Sequence, residues 1–139
     1  MFCKIARREA QASHVYEDAE VIAFLDARPV NEGHTLVVPK KHYENIFEIP
    51  DEELGNLFRI VKKVASAVLN AERADGIRIV QNNGSAARQN IFHFHVHIIP
   101  EYEAQGSHWH RKTPQQDELD EVAAKIRRNI RRVTETTST

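Results

Sequence analysis

Two periods of apolar residues run through the chain. From Asp51 to about Arg73, the residues Leu54, Leu57, Phe58, Val61, Val64, Ala65 and Val68 recur at steps of three and four, which predicts one amphipathic helix. Pro50 suits its first turn, Asp51, Glu52 and Glu53 suit its electropositive end, and Gly76 supplies a stop. Elsewhere the period is two or the run is short and β-branched. "HVYED" and "EVIAFLD" predict two strands joined by a turn at Asp18-Ala19-Glu20. "ARPVNEG", with Pro29, Asn31 and Gly33, reads as a loop leading into a third strand, "HTLVVPK". "IRIVQN" and "IFHFHVHII" predict two more strands, connected by the polar loop "NGSAARQ" as an antiparallel pair. A short helix follows over "DELDEVAAKIRRNI", and the tail "TETTST" is expected to fray. The order predicts an α+β fold: an antiparallel sheet of about five strands, one long helix packed on it, and a short C-terminal helix.

The last strand raises a chemical question. Residues two apart on a strand share a face, so His93, His95 and His97 should line up with roughly 7 Å between successive Cβ atoms. Phe92, Phe94, Val96 and Ile98 should turn the other way, toward the helix. One histidine on a solvent face needs no special account. Three in register do, because Lys, Thr or Glu would serve such a face as well. Imidazoles so placed could ligate a metal ion. They could instead attack phosphorus and stabilise its oxygens. The preceding loop favours phosphorus: Asn82, Asn83, Ser85, Gln89 and Asn90 are amide or hydroxyl donors, suited to anionic oxygen and poor as zinc ligands.

Composition narrows the field. A chain of 139 residues with 41% hydrophobic and 28% charged residues fits one globular domain. Nineteen basic and twenty acidic residues leave a formal charge of −1, without the broad basic field expected of a nucleic-acid binder. No apolar run approaches the roughly 20 residues of a membrane helix, and the first ten residues lack a secretory apolar segment. The single cysteine, Cys3, excludes an internal disulfide and fits a cytoplasmic location.

Taken together, these stretches resemble the histidine-triad (HIT) superfamily, in particular its Hint-like nucleotide hydrolase branch. The triad motif stands here as His93-Phe94-His95-Val96-His97-Ile98-Ile99, supported by "FCKI", "VYED", "AFLD", "GHTLVVPKKH" and "NNG" before "IFH". The likeness runs from Phe2 to about Pro100, within a single domain whose extension, 101–139, ends in residues expected to be disordered.

The resemblance implies that His95 attacks the α-phosphorus of a purine nucleotide, forming a nucleotidyl-histidine that water resolves to AMP or GMP. It implies that His97 orients phosphate oxygens, and that His93, with His34 behind it, holds His95 in its tautomer. Asn82, Gln89 and Asn90 would contact the phosphate or leaving group. Asp26 would grip the ribose hydroxyls; a loop-capping aspartate accounts for it equally well on the residues alone. Phe2, Ile5 and Phe24 would wall the base pocket, or serve as plain core. A homodimer is implied, with no membrane and no nucleic acid as partner. A nucleoside phosphoramidate and a dinucleoside polyphosphate both remain open as substrate. A nucleotide-binding regulatory module with vestigial activity, or a metallohydrolase using the three histidines, remains as an alternative.

The chain departs from the family in several places. Many relatives bind a structural zinc through two cysteines and two histidines. Cys3, His42 and His93 alone lack one ligand, so no metal or other cofactor is expected. Arg88 stands where a small residue, commonly Gly, precedes the glutamine, and Asn90 where Ser or Thr is frequent. An amide cannot supply the proton a hydroxyl can. The intact third histidine, His97, favours hydrolysis over nucleotidyl transfer. Trp109, in "GSHWHRK", is a candidate for shaping leaving-group specificity.

Overall fold

The computed structural model describes Phe2, Ile5, residues 12–105 and residues 111–137, the last with side chains up to Ile130. Its elements are β1 (His14–Glu17), β2 (Val21–Leu25), β3 (Thr35–Pro39), α1 (Asp51–Glu72), β4 (Gly76–Val80), β5 (Val96–Glu101) and α2 (Gln116–Thr137). The five strands form one antiparallel sheet in the order β1-β2-β3-β5-β4, as the α+β reading predicts.

The β1–β2 turn closes where expected, because Asp18 acts as a local acceptor. Its Oδ1 receives the N–H groups of Glu20 and Val21 at 2.8 Å each, and its Oδ2 receives the Tyr16 hydroxyl at 2.7 Å. Register then decides which face each side chain takes. Phe24 pairs with Leu36, Leu36 with His97, and His97 with Val80, so one row crosses the sheet on a single face. The neighbouring row, Ala23, Val37 and Val96, points the opposite way into the main core.

Both helices cover that core face and pack on each other. Helix α1 buries Leu57, Ile60, Val61, Val64, Ala67 and Val68, whereas Phe58 is left 38% exposed. The buried stripe is therefore rotated from the predicted one, toward Ile60 and Ala67, since α2 also has to be accommodated. Pro50 serves as N-cap residue rather than in the first turn. The helix ends at Arg73 in the left-handed conformation (φ 51°), and Ala74 N–H caps Leu69 O at 3.1 Å. Gly76 is not the stop: it begins β4. Helix α2 starts one residue before the predicted stretch and runs well past it, to the 22-residue length of α1. It buries Leu119, Val122, Ala123, Ile126 and Ile130 at helical spacing. The predicted fraying falls partly on this helix, and Ser138 and Thr139 lie outside the described residues.

The histidine strand is shorter than predicted. β5 begins only at Val96, so His93 and His95 precede it, on a segment that bends through residues 91–93 and where Phe94 N–H donates to Tyr43 O at 2.6 Å. Phe94, Val96 and Ile98 are fully buried on the helix face as expected. Phe92, outside the ladder, is 43% exposed instead of packed under α1. Among the described residues no helix is long and apolar enough to cross a membrane.

Candidate active site

The loop between β2 and β3 carries the first piece of the site. Asp26 N–H donates to His34 O at 2.9 Å and His34 N–H to Asn31 O at 3.0 Å, which folds the loop back on itself. Asn31, buried, donates from Nδ2 to Pro100 O at 2.7 Å and so ties the loop to β5. Gly33 permits the turn: its φ is +93°, and a Cβ there would meet Glu72 Cγ at 2.8 Å. The next residue, His34, is thereby driven fully inside, against His97.

Proton placement follows from the donors around each ring. The Val30 N–H can only donate, so His34 Nδ1, 3.0 Å away, is the acceptor and the ring proton sits on Nε2. His34 Nε2–H then donates to His97 Nδ1 at 2.9 Å. His97 in turn keeps its proton on Nε2. The His93 carbonyl can only accept, so His95 Nδ1, 2.7 Å from it, carries hydrogen and Nε2 holds the lone pair. The result is one imidazole with its lone pair on Nε2 beside another with its N–H on Nε2, their ring centroids 5.0 Å apart.

Burial keeps these rings neutral. Desolvation pushes His34 down to about 4, Asp26 only partly opposing it, and pushes His97 down to about 3, with the nearby His34 and His95 adding to the effect. His95 and His93 are lowered for the same first reason, each partly offset by its backbone hydrogen bond. A neutral His95 can act as a nucleophile at pH 7 without first losing a proton.

His93 holds the His95 tautomer by a hydrogen bond as expected, and does so through its carbonyl. One contact differs from the expected arrangement: His34 stands behind His97, not behind His93. The His93 ring faces elsewhere: Nε2 donates to Pro39 O at 2.9 Å, and Nδ1 lies 3.3 Å from His42 Nδ1. Phe2 stands edge-on to both His93 and His95, at centroid distances of 5.9 and 5.1 Å, and packs with Ile5, Ile22, Phe24, Leu36 and Val38 as a second apolar cluster. Phe2, Ile5 and Phe24 are thus buried together directly beneath the histidines.

Gln89 is committed within its loop. Its Oε1 accepts from Gly84 N–H at 2.7 Å, and its Nε2 donates to Glu44 O at 2.6 Å and Ile91 O at 3.0 Å. That geometry braces the loop and spends the amide donors expected for phosphate. Asn82 is half-buried, two residues beyond Val80, the cross-strand partner of His97; Asn90 is exposed. Arg88 adopts φ 73°, which gives a backbone reason for glycine at this position in relatives.

Asp26 meets the site from its rim. Its Oδ2 lies 3.6 Å from His34 Nε2 and 2.6 Å from Arg111 Nη1, and its Oδ1 accepts from Arg28 N–H at 2.9 Å. No spacing in the sequence singles out Arg111, which is brought to Asp26 by the path of the chain into α2. Asp26, His34 and His97 place three potential ligand atoms within 4.8 Å of one another. A cation bound there would have to replace the proton that His34 and His97 share. Cys3 and Trp109 lie outside the described residues. A cavity of about 160 Å³ opens behind Asp26 and His34, walled by Leu25, Pro29, Lys112 and Leu119; the triad histidines do not line it.

Comparison with known proteins places this geometry. The family described as the HIT domain matches residues 7–104. An uncharacterised HIT-like protein of Methanocaldococcus jannaschii is 50% identical over 127 residues, spanning 91% of this chain and 98% of that one. Adenylylsulfatase HINT3 of Arabidopsis thaliana is 39% identical over 103 residues, 74% of this chain and 52% of its own length. The crystal structure of a hypothetical histidine triad nucleotide-binding protein from Sulfolobus tokodaii has a TM-score of 0.89 at 40% identity, covering 96% of this chain and 93% of that one.

Proposed function

This chain belongs to the HIT family, and on that premise we propose that it is a nucleotide hydrolase acting at an α-phosphorus through a covalent nucleotidyl-histidine. The observation that carries the reading is the proton pattern: His95 Nε2 bears a lone pair because its Nδ1 hydrogen is spent on the His93 carbonyl. In the first step the Nε2–phosphorus bond forms as the bond to the leaving group breaks, the departing amine or phosphate taking a proton from solvent. His97 Nε2–H, fixed by the His34 hydrogen bond, donates to a phosphoryl oxygen as charge develops. In the second step water, giving up a proton, displaces the imidazole and releases the nucleoside monophosphate. Splitting the displacement in two and preorganising the donors both lower the barrier.

The adenylylsulfatase relative supports a substrate in which an adenylyl group is joined to a good leaving group. A nucleoside phosphoramidate or similar purine nucleotide conjugate meets the same requirement, and a dinucleoside polyphosphate is the alternative. Asp26 takes the ribose hydroxyls, Phe2, Ile5 and Phe24 the base side, and Asn82 and Asn90 the phosphate or leaving group. Gln89 positions their loop. No metal takes part. The protein acts in the cytoplasm as a homodimer joined along β4. Among the described residues that strand is the sheet's unpaired edge, with Ile79 43% exposed, whereas at the other edge Arg127 on α2 donates to His14 O at 2.5 Å.

Intact-protein mass spectrometry after brief exposure to adenosine 5′-phosphoramidate tests the chemistry. An added adenylyl mass, absent from His95→Ala, is expected, with turnover that survives chelators. Tight AMP binding without turnover of any conjugate would replace the hydrolase by a nucleotide-binding module. Light scattering in solution tests the dimer.

A further inference from the structure

Asp26 is held by a cation that the proposed chemistry does not call for. Arg111 Nη1 donates to Asp26 Oδ2 at 2.6 Å and to Arg28 O at 2.8 Å. The segment is fastened by Lys112 N–H to Pro29 O at 2.8 Å. The pair sits at the rim of the site, with side chains 30% and 15% exposed. Arg28 and Lys112, both exposed, flank it. The positive charge also bears on His34, His95 and His97, where it opposes protonation. A nucleophile-and-donor pair works without it, so the feature calls for its own account.

A bare carboxylate recognises a ribose diol well but repels any phosphate attached to that diol. A guanidinium on the same carboxylate cancels the repulsion and adds attraction. The same logic operates in dinucleotide sites, where an acidic residue reads free ribose hydroxyls and a nearby arginine accommodates a ribose phosphate. The distances allow it here. A hydroxyl donating to the second lone pair of Asp26 Oδ2 would lie about 4–5 Å from Arg111 Nη1. A phosphate on the neighbouring ribose oxygen then comes within reach of a guanidinium fork suited to phosphate oxygens.

We propose that Arg111 is a specificity-determining residue that admits nucleotides carrying a phosphate on the ribose 2′ or 3′ oxygen. The proposal rests on the reading that Asp26 faces the ribose. The free hydroxyl donates to Asp26 while the phosphate takes Arg111, so the extra charge reports on KM and not on the bond-breaking step at His95.

The test compares adenosine 5′-phosphoramidate with its 2′- and 3′-phosphorylated forms on the full chain, in the natural protein, Arg111→Gln and Arg111→Lys. Thermal unfolding of each variant establishes that it is folded. The natural protein is expected to turn over one phosphorylated form at least as efficiently as the plain one. In Arg111→Gln that ratio of kcat/KM should fall at least tenfold, through KM, with partial recovery in Arg111→Lys. An unchanged ratio overturns the proposal. So does an equal gain for all substrates, which would make Arg111 a latch over Asp26. Turnover of the plain substrate alone overturns it and leaves the hydrolase reading standing. Failure of the natural protein on all three removes the hydrolase reading and this inference with it.

Discussion

Phe94 and His95 are neighbours in the chain and are buried on opposite faces of the same sheet. Phe94 enters the large cluster beneath α1 and α2, where burial of apolar surface is the main stabilising contribution. His95 enters a small cluster with Phe2, where burial strips water from an imidazole and holds it neutral. The same physical act, removal from water, builds stability on one face and reactivity on the other. What differs is whether the buried group has polar atoms, and whether the backbone satisfies them.

Substitutions at these two positions should separate the roles. On the proposed mechanism, His95→Ala should lower turnover by about four orders of magnitude or more, since it removes the nucleophile, while the melting temperature changes little. Single-turnover kinetics beside a thermal scan would check both. Phe94→Ala should do the reverse, costing about 3–5 kcal/mol in a denaturant titration, with activity per folded molecule largely kept. If Phe94→Ala abolishes activity while leaving stability intact, the division of labour between faces is wrong.

Acid should break the histidine face first. His34 and His97 are depressed to about 4 and 3, below the roughly 6.5 of an unfolded histidine. The unfolded chain therefore takes up protons that the folded one refuses. Stability is fully present above pH 6.5 and falls as pH drops from 6.5 toward 4, by up to about 1.4 kcal/mol per pH unit for each ring. Replacing His34 by Gln should flatten the slope in that window, as read by urea midpoints at several pH values. An unchanged slope would mean that these rings already titrate as they do in the unfolded chain.

Two smaller changes sharpen the picture of the loop that precedes the triad. Gln89→Ala should cost about 1 kcal/mol, because partly buried hydrogen bonds to backbone groups of Gly84, Glu44 and Ile91 are lost. A loss of affinity for nucleoside monophosphate with no loss of stability would instead return Gln89 to the role of phosphate ligand. Arg88→Gly should stabilise by up to about 1 kcal/mol, measured by thermal unfolding, since φ 73° strains any side chain with a Cβ.

Much of the fold was legible because it depends on local rules. Period-two alternation placed Phe94, Val96 and Ile98 inside, and the acceptor chemistry of Asp18 closed the first hairpin. The errors share one cause: they concern surfaces that only a second element defines. Phe58 and Ile60 fit a helical stripe about equally well, and the presence of α2 decides for Ile60. Phe92 and His93 continue the alternation, yet β5 begins after them because Tyr43 O takes the Phe94 N–H. Arg73 ends α1 although Gly76 has the better propensity, since β4 must start at Gly76 to pair with Glu101.

The site divides in the same way. By itself the sequence singled out the candidate residues for the chemistry, because three imidazoles at alternate positions and a donor-rich loop are properties of spacing. Only the tertiary structure decided what each nitrogen does. Protonation depends on the partner across space: Val30 N–H for His34, His34 for His97, and the His93 carbonyl for His95. The same holds for Arg111, 85 residues from Asp26, whose contact no periodicity encodes. Spacing sets faces, whereas the direction of a hydrogen bond is set by whichever donor or acceptor the fold brings near.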